Sequence, residues 1–211
     1  LSVVNAARVS FGKKSEWMPR IHYGEDLVLK PKDAKLIRYL AKHQHKSPFN
    51  HTFVTFHVKA PVFVARQLVK HEYMPWNEIS RRYVDDEPEF YVPDVWRKRS
   101  ADKKQGSGGA INEVMQVGLD YEVKNTHILA LETYDHLIYQ GVCPEQARMI
   151  LPQSMMTEWY WSGTLFAFAK MCGLRLKEDT QAETRVVAEQ IDVVMQKIYP
   201  VSWEALKEYA Q

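Results

Sequence analysis

Apolar residues recur along this chain with two periods, and the first half mixes them. Ala34, Leu36, Ile37, Leu40 and Ala41 fall at helical spacing behind Asp33 and predict an amphipathic helix over 32–45. Residues 3–11 give a short apolar helix or turn of core, and 12–25 are polar and loop-like. Pro48 marks a turn at 47–51, because it fixes its own φ and biases its predecessor away from helix. Residues 52–60 alternate and are rich in β-formers, so they predict a strand. Pro61 suits the first position of a helix running to about His71, which would set Gln67, Lys70 and His71 on one face. Pro75 ends any such helix and leaves 73–80 as a loop. Residues 89–93 read as a short strand.

From Ile111 onward the helical period dominates. One long helix runs to about Gln140 and is closed by Gly141. A second starts at Pro144 and carries Arg148, a third covers 154–172, and a fourth covers 179–199. Ser202 suits the cap of a last short helix. The order is an α+β half followed by a helical half, with no βαβ alternation. A single domain over 1–211 is expected, with the basic and then glycine-rich 97–110 segment as a flexible insertion.

Composition changes this picture little. Of 211 residues, 45% are hydrophobic and 26% charged, as in an ordinary globular protein. A net charge of +2 does not by itself imply nucleic-acid binding. Cys143 and Cys172 show no metal-ligand spacing and read as reduced thiols. No run approaches the roughly 20 apolar residues of a membrane span. No signal peptide is visible.

The chemistry concentrates in residues 66–83. This stretch carries Arg66, Lys70, Arg81, Arg82, Glu72, Glu78, Gln67, His71, Asn77 and Ser80, directly after the apolar run 60–65. Such groups are costly to bury unless paired, so a cluster delivered by a core element suits a preorganised site. Arg and Lys with Ser fit a phosphate, the first as a fork and the second as a point charge. Glu and Gln fit the N–H and C=O edge of a base or flavin ring. Solvated surface around a turn is the plain alternative. Arg148 and Arg175 sit beside apolar residues, as snorkelling or ion-paired cations or as cations held in a dry pocket. Trp159, Tyr160 and Trp161 read as core more readily than as a stacking platform. Eight histidines fall into no metal-binding pattern, so no metal is expected. The chain has no P-loop, no G-x-G-x-x-G and no G-x-S-x-G.

The run from His45-Lys46-Ser47-Pro48-Phe49 through 55–61 to Asn77-Glu78-Ile79-Ser80-Arg81-Arg82-Tyr83 resembles the flavin-dependent thymidylate synthases, the ThyX family. Ala6-Ala7-Arg8-Val9-Ser10-Phe11, Ala147-Arg148-Met149-Ile150-Leu151-Pro152 and Leu174-Arg175 with Gln181-x-Glu183 extend the likeness over nearly the whole chain. The resemblance implies a ThyX-like α+β fold with a mixed sheet. It also implies a homotetramer with sites at subunit interfaces, in the cytoplasm, or in a host's if the chain is phage-borne. The implied reaction converts dUMP to dTMP, with 5,10-methylenetetrahydrofolate as carbon donor and FAD reduced by NADPH. By position, Arg175 corresponds to the arginine that meets the uracil ring. Gln67, Lys70, Glu78, Ser80, Arg82 and Arg148 join it as dUMP-binding residues. His45, Ser47, Lys70, His71, Glu72, Glu78, Thr164 and Lys170 fall where the family touches FAD.

Two departures stand out. The family's Arg-His-Arg is here Lys70-His71-Glu72, and its Asn-x-Arg is Thr164-Leu165-Phe166. FAD is therefore expected to bind differently or more weakly. This motivates an alternative ending, one-carbon transfer without final reduction, giving a hydroxymethylpyrimidine. A non-enzymatic nucleotide or nucleic-acid binder using Arg97, Lys98, Arg99, Lys103 and Lys104 is the remaining alternative, and no nucleic-acid partner is expected.

Overall fold

The structure is a computed structural model, which describes residues 1–19, 27–84, 86–101 and 106–209. Helix α1 (Ser2–Arg8) opens the chain and continues into a 3₁₀ turn at Val9–Phe11. Val3 and Val4 enter the core, whereas Val9 and Phe11 stay exposed. The segment expected to be a loop carries β1 (Met18–Pro19), which pairs with β2 (Leu27–Val28). The rest of that expectation, at 20–25, lies outside the described residues. Helix α2 (Pro31–Lys42) has Pro31 in its first turn and buries Asp33, Ile37, Leu40 and Ala41. Asp33 accepts hydrogen bonds from Arg8 Nη2 (2.5 Å) and from Ser15 Oγ. A buried carboxylate paired in this way ties α2 to α1.

After a 3₁₀ turn at Ser47–His51 comes β3 (Phe53–Pro61), which turns Val58 and Ala60 inward and Thr55, His57 and Lys59 outward. Helix α3 (Val62–Leu68) follows, three residues shorter than the spacing predicts. His71 lies past its end in a turn closed by His71 N–H to Leu68 C=O (3.1 Å). Gln67, Lys70 and His71 therefore do not share a helical face. Tyr73 has φ +59°, a left-handed conformation that no helix continues through. The predicted loop 73–80 contains β4 (Trp76–Glu78), and the 89–93 strand reduces to one bridge, Phe90 with Met155.

Strands β5 (Arg97–Arg99) and β6 (Ser107–Ala110) pair antiparallel, so the two arms of the expected insertion form a hairpin. Lys103 and Lys104 lie outside the described residues. Helix α4 (Glu113–Tyr139) is capped by Asn112, whose Oδ1 accepts from Met115 N–H (2.9 Å). Helix α5 (Pro144–Ala147) leads into a 3₁₀ turn at Arg148–Ile150.

The predicted helix over 154–172 is overturned in its first half. β7 (Met156–Thr164) is a strand, and only α6 (Leu165–Arg175) is helical. Thr157, Trp159, Trp161 and Gly163 are buried at a period of two. β7 is the middle strand of the main sheet, in the order β3-β7-β4. It pairs from Phe53–Thr164 to Pro61–Met156 on one side, and Trp76 with Trp161 and Glu78 with Trp159 on the other. Both pairings are antiparallel, so the expected mixed sheet is an antiparallel one, and the C-terminal half supplies its centre. Trp76 stacks on Trp159 at 4.3 Å, and Trp161 meets Phe168 edge-on at 5.4 Å. A Cβ on Gly163 would stand 3.0 Å from Met74 Cε and 3.3 Å from Phe168, so glycine lets these side chains close over the strand. Helices α7 (Ala182–Ile198) and α8 (Pro200–Tyr209) complete the core through Val187, Ala188, Ile191, Met195, Trp203 and Leu206. Ser202, expected as a cap, lies inside α8 and is buried.

Candidate active site

The end of α3, the turn after it and the C-terminal turn of α6 meet at Arg175. This half-buried guanidinium donates through Nη2 to Gln67 C=O (2.9 Å) and through Nε to His71 Nε2 (3.1 Å). Arg175 makes no ion pair among the described residues and is tied to a backbone carbonyl and a ring nitrogen. Burial, with Arg175 and Lys170 nearby, pushes the His71 imidazole from its ordinary 6.5 down to about 4. His71 is therefore neutral at physiological pH, and its unprotonated Nε2 can accept from the cation. Burial also lowers the pKa of Arg175, which starts so high that the charge is retained. Gln67 and Arg175 line a cavity of about 510 Å³ with Leu174, Lys177, Thr180 and Gln181, and the Gln67 amide donates to Gln181 Oε1.

A second cavity, of about 700 Å³, gathers Glu78, Ser80, Arg82 and Arg148. It is lined as well by Val62 and Ala65 of α3 and by Met156 and Thr157 of β7. Glu78 is held by Thr157 Oγ1 on one carboxylate oxygen (2.7 Å) and by Trp76 Nε1 on the other (3.0 Å). Arg82 Nε donates to Ser80 Oγ (3.3 Å), and its guanidinium lies 4.9 Å from the Tyr83 ring. Arg148 Nε donates to Glu145 C=O (3.4 Å). Both arginines are exposed at the cavity. Arg66 lines it too, a member of the 66–83 cluster that was not among the residues expected to meet nucleotide. The available signal was that Arg66 is the one charged residue in the helical run 62–68.

All but Lys70 of the residues expected to meet dUMP thus fall into two groups on one chain. Lys70 is exposed in the turn after α3 and lines neither cavity, and Glu72 is exposed beside it. His45 lies in a crevice with Lys46, Phe49 and Phe166, and Ser47 is exposed at the start of the adjoining 3₁₀ turn. Thr164 caps α6, accepting from Ala167 N–H (3.1 Å) and donating to Asn50 Oδ1 (2.9 Å). Lys170 is exposed one helical turn beyond Phe166. Trp159 and Trp161 are core, as expected, while Tyr160 is exposed. Among the described residues no group of three His, Cys, Asp or Glu side chains is placed to hold a metal. No described helix is long and apolar enough to cross a membrane.

The profile of the thymidylate synthase complementing protein family matches residues 1–201. The chain belongs to that family. Among its relatives, a flavin-dependent thymidylate synthase of Thermus thermophilus is 39% identical over 190 residues, 90% of this chain and 69% of that one. The flavin-dependent thymidylate synthase of Ehrlichia ruminantium (strain Gardel) is 36% identical over 211 residues, 99% of this chain and 67% of that one. The fold is also similar to that of a solved UMP/dUMP methylase, PolB from Streptomyces cacaoi, bound with 5-Br dUMP. The TM-score is 0.82 at 31% identity, covering 99% of this chain and 90% of that one.

Proposed function

We propose that this chain is a homotetrameric, cytoplasmic enzyme that reductively methylates dUMP to dTMP. The proposed carbon donor is 5,10-methylenetetrahydrofolate, and NADPH reduces a bound FAD. Family membership makes it a methyltransferase. The observation that carries the finer reading is the division of nucleotide-type residues between two cavities. Gln67 and Arg175 stand at one, and Glu78, Ser80, Arg82 and Arg148 at the other. Two half-sites on one chain make complete sites when copies assemble so that the first faces the second of a neighbour. Helix α4 supports such assembly: only His127 and Tyr134 are buried along 27 residues, and Val114, Val117, Tyr121, Ile128 and Leu129 are exposed.

In this reading Arg82 and Arg148 hold the nucleotide phosphate as bidentate donors, with the Ser80 hydroxyl beside them. Glu78, fixed by Thr157 and Trp76, presents a rigid acceptor edge. Arg175 faces the uracil ring. A fixed guanidinium in a partly dry cavity stabilises negative charge on the ring, which makes C5 a better nucleophile toward the carbon donor. Neutral His71 and Gln67 C=O hold that guanidinium in place without competing for its charge. The chain also suits a flavin nucleotide: Lys46, Lys70, Lys170 and Arg175 make no ion pair among the described residues, which leaves cations for a diphosphate. When bound, the flavin supplies hydride transfer.

Two measurements test this. Incubation with dUMP, methylenetetrahydrofolate, FAD and NADPH should give dTMP by mass spectrometry, and UMP and dCMP should be run beside it. A hydroxymethyl product would select the alternative ending instead. Mixing Arg82→Ala with Arg175→Ala, each inactive alone, should restore activity in hybrid oligomers, because one site then receives both intact halves. Hybrids seen by native mass spectrometry but without activity would show that both groups serve one chain's own site.

A further inference from the structure

Phe166 takes the place where the resemblance leads one to expect a cofactor-binding arginine, and it packs half-buried against the core. Its outer face is not empty. Lys46 Nζ lies 5.4 Å from the centre of the Phe166 ring. The position of Lys46 is built from both sides. Helix α2 stops at Lys42, Gln44 turns the chain with φ +56°, and His45 N–H returns to Leu40 C=O (2.9 Å). Lys46 then caps the 3₁₀ turn Ser47–His51, and that turn is tied to the start of α6 by Thr164 Oγ1 to Asn50 Oδ1 (2.9 Å). Phe166 and Lys170 are four residues apart on α6 and share a face. Lys170 in turn lies close enough to His71 to help keep it neutral. One face of α6 therefore carries Lys46 over Phe166 and then Lys170, and the His71–Arg175 pair lies beyond it at the helix's last turn. None of these cations is in an ion pair among the described residues.

We propose that Lys46, seated on the Phe166 ring, is the cation that meets the diphosphate of the bound dinucleotide in this chain, in place of a guanidinium on α6. The aromatic ring orients the ammonium by cation–π attraction without neutralising it, so the charge stays available to an anion. A point charge on a flexible stem replaces a planar fork, which keeps the attraction and gives up bidentate geometry. This proposal rests on the flavin reading above and names the residue that makes it workable despite Phe166.

Binding to the purified, assembled enzyme, followed by flavin fluorescence, tests it with three ligands: FAD, FMN and riboflavin. Lys46→Ala should weaken FAD binding by about tenfold, as expected for loss of one charged contact to phosphate, and leave riboflavin unchanged. Lys46→Arg should bind FAD at least as well as the parent. In the double variant Lys46→Ala with Phe166→Arg, the guanidinium returned to α6 should recover the lost affinity. Equal FAD affinity in Lys46→Ala and the parent would overturn the proposal, as would an equal loss for riboflavin, which carries no phosphate. A parent enzyme that binds none of the three would instead overturn the flavin reading itself.

Discussion

Arg175 is the residue on which the proposed chemistry turns, and its surroundings were only half legible in the sequence. A lone arginine beside Leu174 and Leu176 is ambiguous between a snorkelling or ion-paired side chain and a cation held in a dry pocket. The structure ties it to a backbone carbonyl, that of Gln67, which no residue pattern advertises. Arg175→Ala should lower dTMP formation by at least about 100-fold, the scale of losing one preorganised donor to developing charge, with far-UV circular dichroism unchanged. His71 gives a second test. Its pKa is depressed in the folded state, so its neutral form favours folding above 6.5, and that contribution is lost as pH falls from 6.5 through about 4. The urea midpoint of the parent should therefore drop more steeply across that window than that of His71→Gln. Parallel slopes would mean that His71 titrates as if in solvent. Cys172 belongs to the same scale: burial, with Asp192 nearby, pushes its thiol up to about 12, while Cys143 is exposed. A thiol reagent should modify one cysteine in native protein and two after denaturation.

Among the elements, the short ones around the site were hardest to read. β4 is three residues long and follows a proline, so nothing local distinguishes it from loop. It becomes a strand because β7 offers a paired edge. β7 itself was visible in principle. Thr-Glu-Trp-Tyr-Trp-Ser-Gly-Thr alternates and is rich in β-formers, but it runs without punctuation into the apolar helix α6, and the helical period won across the junction. The strand matters because it aligns both halves of the site: β4 on its edge bears Glu78, and α6 at its end bears Arg175. Trp159 is 1% exposed and stacks on Trp76. Trp159→Ala should cost about 3–5 kcal/mol in denaturant unfolding, with loss of activity following loss of fold. A cost below about 1 kcal/mol would show that the strand is not held by this stack.

At the scale of the whole molecule, the α+β class and the order of most helices followed from periodicity. The division of the site into two cavities did not, because sequence order does not reveal which residues face the same solvent-filled space. Light scattering should report four chains of 24.7 kDa. Charged substitutions at Ile128 and Leu129, which are 54% and 64% exposed, should break that assembly and abolish activity together. In the proposed tetramer a rod such as α4, about seven turns long with oily side chains on its outer faces, would also couple folding to mass action. Association removes from water what a lone copy leaves wet, so the temperature of half-unfolding should climb as the solution is made more concentrated. Such a protein is sturdiest where it is abundant.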